Sequence, residues 1–477
     1  MEIEEDVGLK KDFSPISKEE WIEKAKADLK GADFEKKLVW HTYEGFKVDP
    51  FYTSEDTNSL AYLENYENLS LNKFHPSFGS RYWVNVEKIR VTSEAEANHL
   101  ADESLHSGAD GILFDLSGMD HVDVKQLTSR ILPLYCTLMF ETDKDPQKLI
   151  AEYFDYQHTN NDIKDVYGSL NYDIHRILAL TGNLPEEGYQ AIKKAIEISS
   201  GSQYFRALTV NSDQFLNAGA NVSQELAYTL NSVVEYVTKL SELDVDPRIV
   251  FDNLELSLGI GSSYFLEIAK IKVARILIGQ IAEAFGVNNY DPATLNIHSK
   301  SSVWTKTVYD PYVNMLRNTT EAMSAVIGGC NSITISPYDE FFTSPSPFSR
   351  RISRNVANML KEESYLDKVV DPSAGSYYIE NIIDKLLESV LSEFKSIENE
   401  GGFVKAFQKG IIQKNIASKR AEKNKRVSQR RDIYVGTNQY ANTSEHLDFD
   451  KIDIAPIVPD EHLLKPLRGA MVFENLR

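Results

Sequence analysis

Eight short apolar segments, each followed by a stretch of helical period, constrain this chain more than any other feature of its sequence. They lie at Tyr82–Val86, Gly111–Phe114, Tyr135–Phe140, Val166–Leu170, Phe205–Val210, Leu254–Leu258, Leu295–Ile297 and Ser332–Ile335. Between and after them, Glu94–His106, Ile192–Ile198, Gln224–Leu240, Ser263–Phe285, Pro311–Ile327 and Ser349–Glu363 repeat apolar residues at helical spacing. Strands apolar on both faces suit a sheet covered by helices. The alternation predicts an α/β fold, a (β/α)8 barrel of the TIM type. An open doubly wound sheet is the alternative, but its dinucleotide fingerprint is missing. Gly259-Ile260-Gly261-Ser262-Ser263 begins that pattern, and Tyr264 stands where the third glycine is needed. The two glycines read more simply as a tight turn after the sixth strand.

Within this pattern, Leu208 to Leu230 carries the sharpest functional expectation. Ala207–Val210 is strand-like, Asn211–Ala220 is a polar turn broken by Gly219, and Ser223 or Asn221 caps a helix with Leu226, Leu230, Val233, Val234 and Val237 on its apolar face. A barrel places its chemistry at the carboxyl ends of its strands. What stands at Asp213 and Gln214 therefore decides what the chain does. Asp213 and Glu255 have no spacing that makes them an acid–base pair.

The flanks read differently. Ser17 and Glu20 form a capping box for a helix bearing Trp21, Ile22, Ala25 and Leu29, with Ile16 and Trp21 placed as a staple, and Gly31 ends it. Trp40, Phe46, Phe51 and Tyr52 follow without regular period, so residues 1–80 are expected to be an arm wrapping the barrel or a partner. The barrel spans 81–365, and 366–477 is expected to add C-terminal helices and an extended tail. An amphipathic helix is expected over Ile382–Ile397, ended by Gly401-Gly402. Residues 403–431 are helical and basic, from Lys405 to Arg431. A solvated face explains them better than a nucleic-acid patch in a chain of net charge −20. Neither nucleic acid nor a membrane surface is expected as a partner. The two cysteines, Cys136 and Cys330, stand far apart in apolar settings and predict neither a disulfide framework nor a metal site. The acidic N-terminus has no signal-peptide pattern, and no apolar run is long enough to span a bilayer. The expected compartment is the cytoplasm.

A series of ordered matches resembles the methylmalonyl-CoA mutases. Lys30-Gly31, Thr42, Glu44-Gly45 and Pro50–Thr53 match the N-terminal segment of that family. Ala218-Gly219-Ala220 with Glu225–Leu230, Gly259-Ile260-Gly261 with Phe265–Lys270, and His298-Ser299 with Trp304 follow. Then come Asp310-Pro311-Tyr312, Asn314, Thr320–Met323, Asp339-Glu340, Phe348-Ser349, Arg351-Ile352, Arg354-Asn355, Asp371-Pro372, Gly375–Tyr378 and Gly401-Gly402. The resemblance is collinear from about Trp21 to Gly436. It implies a (β/α)8 barrel with CoA along its axis, followed in the family by a cobalamin-binding domain, and an adenosylcobalamin-dependent rearrangement of methylmalonyl-CoA to succinyl-CoA.

The departures point to a chain without that chemistry. The family's D-x-H-x-x-G cobalamin motif has its nearest counterpart in Asp173-Ile174-His175-Arg176-Ile177-Leu178, with leucine in place of glycine, and the cobalamin domain is expected to be absent. Asp213 and Gln214 replace a tyrosine–histidine pair. Glutamine donates a hydrogen bond but offers no titratable proton near neutrality. Val86–Val91 replaces a run containing the tyrosine that displaces the adenosyl group. Asn171 stands for a substrate-side glutamine, Lys300 for a glutamine and Val303 for a glycine. His298 and Glu340 keep the family's residues, and Glu340 matches a glutamate that contacts the cofactor ribose. Asn171, Asp213, Gln214, His298, Lys300 and Glu340 are thus the expected remnant of a pocket, with no catalytic or metal-binding residue. The resemblance is to the small, non-catalytic subunit. It implies a partner large subunit that holds adenosylcobalamin, while this chain binds no cofactor. Two other readings stay open: a stand-alone barrel enzyme or acyl-CoA-binding protein with a repurposed pocket, and a homo-oligomeric scaffold for a cobalamin enzyme. For the isolated chain a homodimer stays open as well. Bulky side chains plugging the axial channel favour the accessory reading; an open polar channel favours the enzyme.

Overall fold

A computed structural model describes residues 16–58, 60–64, 81–161, 165–442 and 460–474. Nine parallel strands form one sheet: β1 (Val84–Arg90), β2 (Gly111–Asp115), β3 (Thr137–Glu141), β4 (Gly168–Asn171), β5 (Phe205–Arg206), β6 (Leu208–Asn211), β7 (Leu254–Ile260), β8 (Asn296–Ser301) and β9 (Ser332–Thr334). Their order is β5-β4-β3-β2-β1-β9-β8-β7-β6. The two ends of that order are adjacent in the chain, separated by Ala207 alone. Gly168 pairs with Phe205, and Leu208 pairs with Leu254. The fifth expected strand is therefore split at Ala207, its first half bonded to β4 and its second to β7, and this closes the barrel.

Alternation along the strands separates two faces. Ile112, Phe114, Leu138, Phe140 and Leu170 face the helices and belong to the main core. Val84, Val86, Leu113 and Met139 form a separate small cluster with Tyr82 inside the barrel. The rest of the interior is polar. Ser169 Oγ and Thr209 Oγ1 donate to Glu255 Oε1 at 2.8 and 3.2 Å, and Asn296 Nδ2 donates to Glu255 Oε2. Barrel interiors are ordinarily filled by branched apolar residues; this one is filled on one side by hydrogen-bonded polar groups.

The helices used below are α1 (Lys18–Asp28), α2 (Glu94–His106), α3 (Gln147–Asn161), α4 (Ile174–Thr181), α5 (Gly188–Ser199), α6 (Asp213–Asn217), α7 (Val222–Glu242), α8 (Tyr264–Ala284), α9 (Val313–Gly328), α10 (Pro347–Glu362), α11 (Tyr377–Asn399), α12 (Phe403–Gln408), α13 (Ile411–Ser428) and α14 (Met471–Glu474). Asn221, and not Ser223, caps α7, in a capping box with Gln224. The expected turn at Asn211–Ala220 contains the one-turn helix α6, and Gln214–Asn217 are buried. Its polarity reflects internal hydrogen bonding instead of solvent contact.

Beyond residue 366 the chain shares the barrel's core. α11 packs on α7 and α8, and its Ile382, Ile383, Leu386 and Val390 join the main cluster. The arm also lies on its own barrel. Val48 and Tyr52 reach the core, Asn221 Nδ2 donates to Tyr43 O at 2.8 Å, and Val222 N donates to Glu44 Oε1 at 3.1 Å. Within α1 the capping box forms, but no residue is buried. Trp21 stacks on Phe51 with ring centroids 4.7 Å apart, and Ile16 is exposed. Residues 1–15, 65–80 and 443–459 of the expected arm and tail lie outside the described residues. No described helix is long and apolar enough to cross a membrane.

Candidate functional site

The carboxyl ends of the barrel strands meet in a cluster of charges. Glu141, the last residue of β3, is buried at its centre. Lys300 Nζ on β8 lies 3.2 Å from Glu141 Oε2; Lys88 Nζ on β1 and Arg176 Nη1 on α4 each lie 3.4 Å from Oε1. Asn171 Nδ2 donates to Oε2 at 3.2 Å. Lys88 also pairs with Asp115 at 2.9 Å, and Arg176 Nη2 with Asp213 at 3.5 Å. Asn171 and Asn211 exchange side-chain hydrogen bonds at 2.7 and 3.2 Å, and Lys300 Nζ donates to Asn211 Oδ1 at 3.2 Å. Burial opposes ionisation of Glu141, but Lys300, Lys88 and Arg176 outweigh it and hold its carboxyl well below the usual range. Lys88 and Arg176 are correspondingly held charged, burial being outweighed by Glu141 and its neighbours. The three cations face Glu141, Asp115 and Asp213, with Asp173 also acting on Arg176 and Glu340 on Lys88, so these side chains fill the mouth and its cations are balanced by carboxylates.

The six residues expected as a pocket remnant do not form one pocket. Asn171 and Lys300 belong to the charge cluster, and Asp213 joins it through Arg176. Gln214 turns back, donating from Nε2 to Asn211 O at 2.8 Å. His298 sits deeper in the barrel, with Nδ1 2.7 Å from Ser332 Oγ and Nε2 3.2 Å from Thr334 Oγ1. Burial, with Lys300 second, lowers its pKa to about 3, so the ring is neutral. Glu340 is exposed at the rim, where it lines a cavity of about 770 Å³ with Lys88, Asp115 and Arg350. Sequence reasoning missed Glu141, Arg176 and Asn211. The available signal was a glutamate ending an otherwise apolar strand, where burial demands a partner.

A second buried network fixes the turn after β6. Ser212 Oγ donates to Glu225 Oε1 at 2.5 Å and accepts from Gly259 N at 3.0 Å. Lys270 Nζ contacts Glu225 at 3.0 Å, Glu267 at 2.5 Å and Gly259 O at 2.5 Å. The Ala218-Gly219-Ala220 motif receives the basic helix: Arg420 Nη1 donates to Ala218 O at 2.9 Å and Lys423 Nζ to Ala220 O at 2.7 Å. Lys423 also lies over the rings of Tyr43 and Trp304. The basic face of α13 is thus only partly solvated: Arg420 and Lys423 meet backbone carbonyls, Lys423 also meets aromatic rings, and Arg426 pairs with Asp432 at 2.8 Å.

Residues 460–474 cross this same end of the barrel. Leu464 N donates to Ala179 O at 2.8 Å, Leu467 N to Asn217 O at 2.7 Å and Gly469 N to Trp304 O at 2.8 Å. Arg468 pairs with Glu474 at 2.6 Å, and its guanidinium lies over Phe341. Leu464, Leu467 and Ala470 are buried, so the strap covers the loops that follow β4, β6 and β8.

The residues present do not fit cobalt ligation by the resembling motif. His175 is buried, with Nδ1 2.6 Å from Ser232 Oγ and Nε2 2.8 Å from Tyr189 OH. Both ring nitrogens are engaged, and burial lowers its pKa to about 3. Asp173 caps α4 and accepts from Asn211 N at 2.8 Å. Among the described residues no group of three or more His, Cys, Asp or Glu has a metal-binding arrangement, and the barrel strands are followed by no second sheet.

Fold and site together define a parallel α/β barrel whose carboxyl-end mouth is filled by its own charged side chains. The methylmalonyl-CoA mutase family model matches residues 122–462. The chain is 36% identical to the methylmalonyl-CoA mutase small subunit of Porphyromonas gingivalis, over 98% of this chain and 77% of that one. It is 28% identical to the small subunit of Streptomyces virginiae, over 99% of this chain and 77% of that one. It is 26% identical to the large subunit of Porphyromonas gingivalis, over 90% of this chain and 66% of that one. The chain belongs to the methylmalonyl-CoA mutase family.

Proposed function

We propose that this chain is the small, non-catalytic subunit of an adenosylcobalamin-dependent methylmalonyl-CoA mutase, supporting a large subunit that interconverts methylmalonyl-CoA and succinyl-CoA in the cytoplasm. The observation that carries this reading is the filled mouth. Lys88, Glu141, Arg176 and Lys300 occupy the end of the barrel where a substrate would be worked on. Asp213 is tied to Arg176, and Gln214 is turned onto Asn211 O, at the positions that resemble a tyrosine–histidine pair in catalytic chains. In this reading adenosylcobalamin, held by the partner, supplies the radical chemistry, and the side chains here occupy the barrel's mouth with their own ion pairs.

Partnership is supported by two further observations. Porphyromonas gingivalis has both a small and a large subunit among the relatives of this chain. The arm packs on its own barrel yet leaves Ile16, Leu38, Trp40 and Phe51 exposed. Large apolar side chains that a segment leaves exposed are available to a contact surface. Co-expression with a family member carrying D-x-H-x-x-G tests this: a stable complex of one copy each is expected, and failure of the two chains to associate overturns it.

A further inference from the structure

We infer that the mouth of this barrel is a carboxylate-binding site which the chain fills with its own Glu141. Lys88 comes from β1, Arg176 from α4 and Lys300 from β8, and all three converge on one carboxylate at 3.4, 3.4 and 3.2 Å. Asn171 Nδ2 completes the set at 3.2 Å. Four donors aimed at two oxygens form a receptor for a planar anion. Among the described residues Glu141 alone bridges the three cations; Asp115 pairs with Lys88 and Asp213 with Arg176.

Among the described residues Lys300 has Glu141 as its one ion-pair partner, whereas Lys88 keeps Asp115 and Arg176 keeps Asp213. Without Glu141 the largely buried Lys300 ammonium is left unpaired, which is costly. The truncated site would therefore demand an anion of matching shape. The receptor also keeps unused polar capacity, since Arg176 Nε, Asp213 Oδ1 and Gln214 Oε1 are buried without a hydrogen-bond partner. Lys88 and Asp115 line the 770 Å³ rim cavity as well, which connects the site with the outside. Formate and acetate match this site in charge, planarity and size. The inference concerns binding by this chain and stands whether or not a larger partner is bound.

The test is Glu141→Ala in the full chain, with formate or acetate against chloride at matched ionic strength. The carboxylates are expected to raise the thermal midpoint of the variant and leave wild type unchanged, and titration calorimetry is expected to give one site. Glu141→Ala combined with Lys300→Met removes the ammonium that Glu141 pairs and is expected to lose the effect. A variant that responds to carboxylate no more than to chloride, or a wild type that responds equally, overturns the inference. Should Glu141→Ala fail to fold, Glu141→Gln keeps the shape and removes the charge. Lys300→Met is then expected to destabilise wild type and stabilise Glu141→Gln; destabilisation of both overturns the inference.

Discussion

Lys300 Nζ on β8 stands 3.2 Å from Glu141 Oε2 on β3, across the mouth of the barrel. β8 and β3 are not neighbours in the sheet, so the pair acts as a strut between strands joined by no ladder. Removing one partner of a buried pair leaves the other desolvated and uncompensated. Lys300→Met is expected to cost about 3 kcal/mol on that basis, read as a lower urea midpoint with unchanged slope. An unchanged midpoint would mean that the contact adds nothing.

The Lys270–Glu225–Glu267 cluster sits deeper, with the side chains of Lys270 and Glu225 fully buried. Lys270→Met strands two carboxylates around Ser212 and Gly259 O. Its expected cost is about 3–5 kcal/mol, larger than that of Lys300→Met. Denaturant unfolding of the two variants side by side checks the ranking.

Gly219 has φ +105°, and an added Cβ would come 2.8 Å from Arg420 Cβ and 3.2 Å from Trp304 Cη2. Backbone strain and crowding act together there. Gly219→Ala is expected to cost about 1–3 kcal/mol and to loosen α13, seen as faster proteolysis between Ile411 and Ser428. Unaltered cleavage would separate the glycine from helix docking.

His298 gives a pH signature. Its folded pKa is about 3 against an ordinary 6.5, so the unfolded chain binds a proton that the native ring refuses. The associated stability is fully present above pH 6.5 and is lost as pH falls toward 3. His298→Gln keeps a polar group between Ser332 and Thr334 but does not titrate. Below pH 6.5, wild type is expected to lose about 1.4 kcal/mol more per pH unit than the variant. Parallel stability curves would show that the ring titrates normally.

The barrel was legible because strand and helix periods are local properties. All eight expected strands appear, and Glu94–His106 is a helix to the residue. The break at Ala207 was not, because closure depends on which neighbour each half-strand meets. Asn211–Ala220 reads as a polar turn, and polarity alone does not reveal that Asn211, Ser212 and Asn217 are buried and bonded internally. Asn171, Lys300 and Asp213 are found by matching them to family positions, yet their meaning lies in Glu141 on β3 and Arg176 on α4. Glu340 matched the family and stands exposed at the rim.

The most direct test of the accessory role is mutase turnover by the purified chain, with adenosylcobalamin and methylmalonyl-CoA supplied, measured alone and with a large family member. No succinyl-CoA from the chain alone, and turnover by the mixture, is the expected result. Succinyl-CoA formed by this chain without a partner would contradict it.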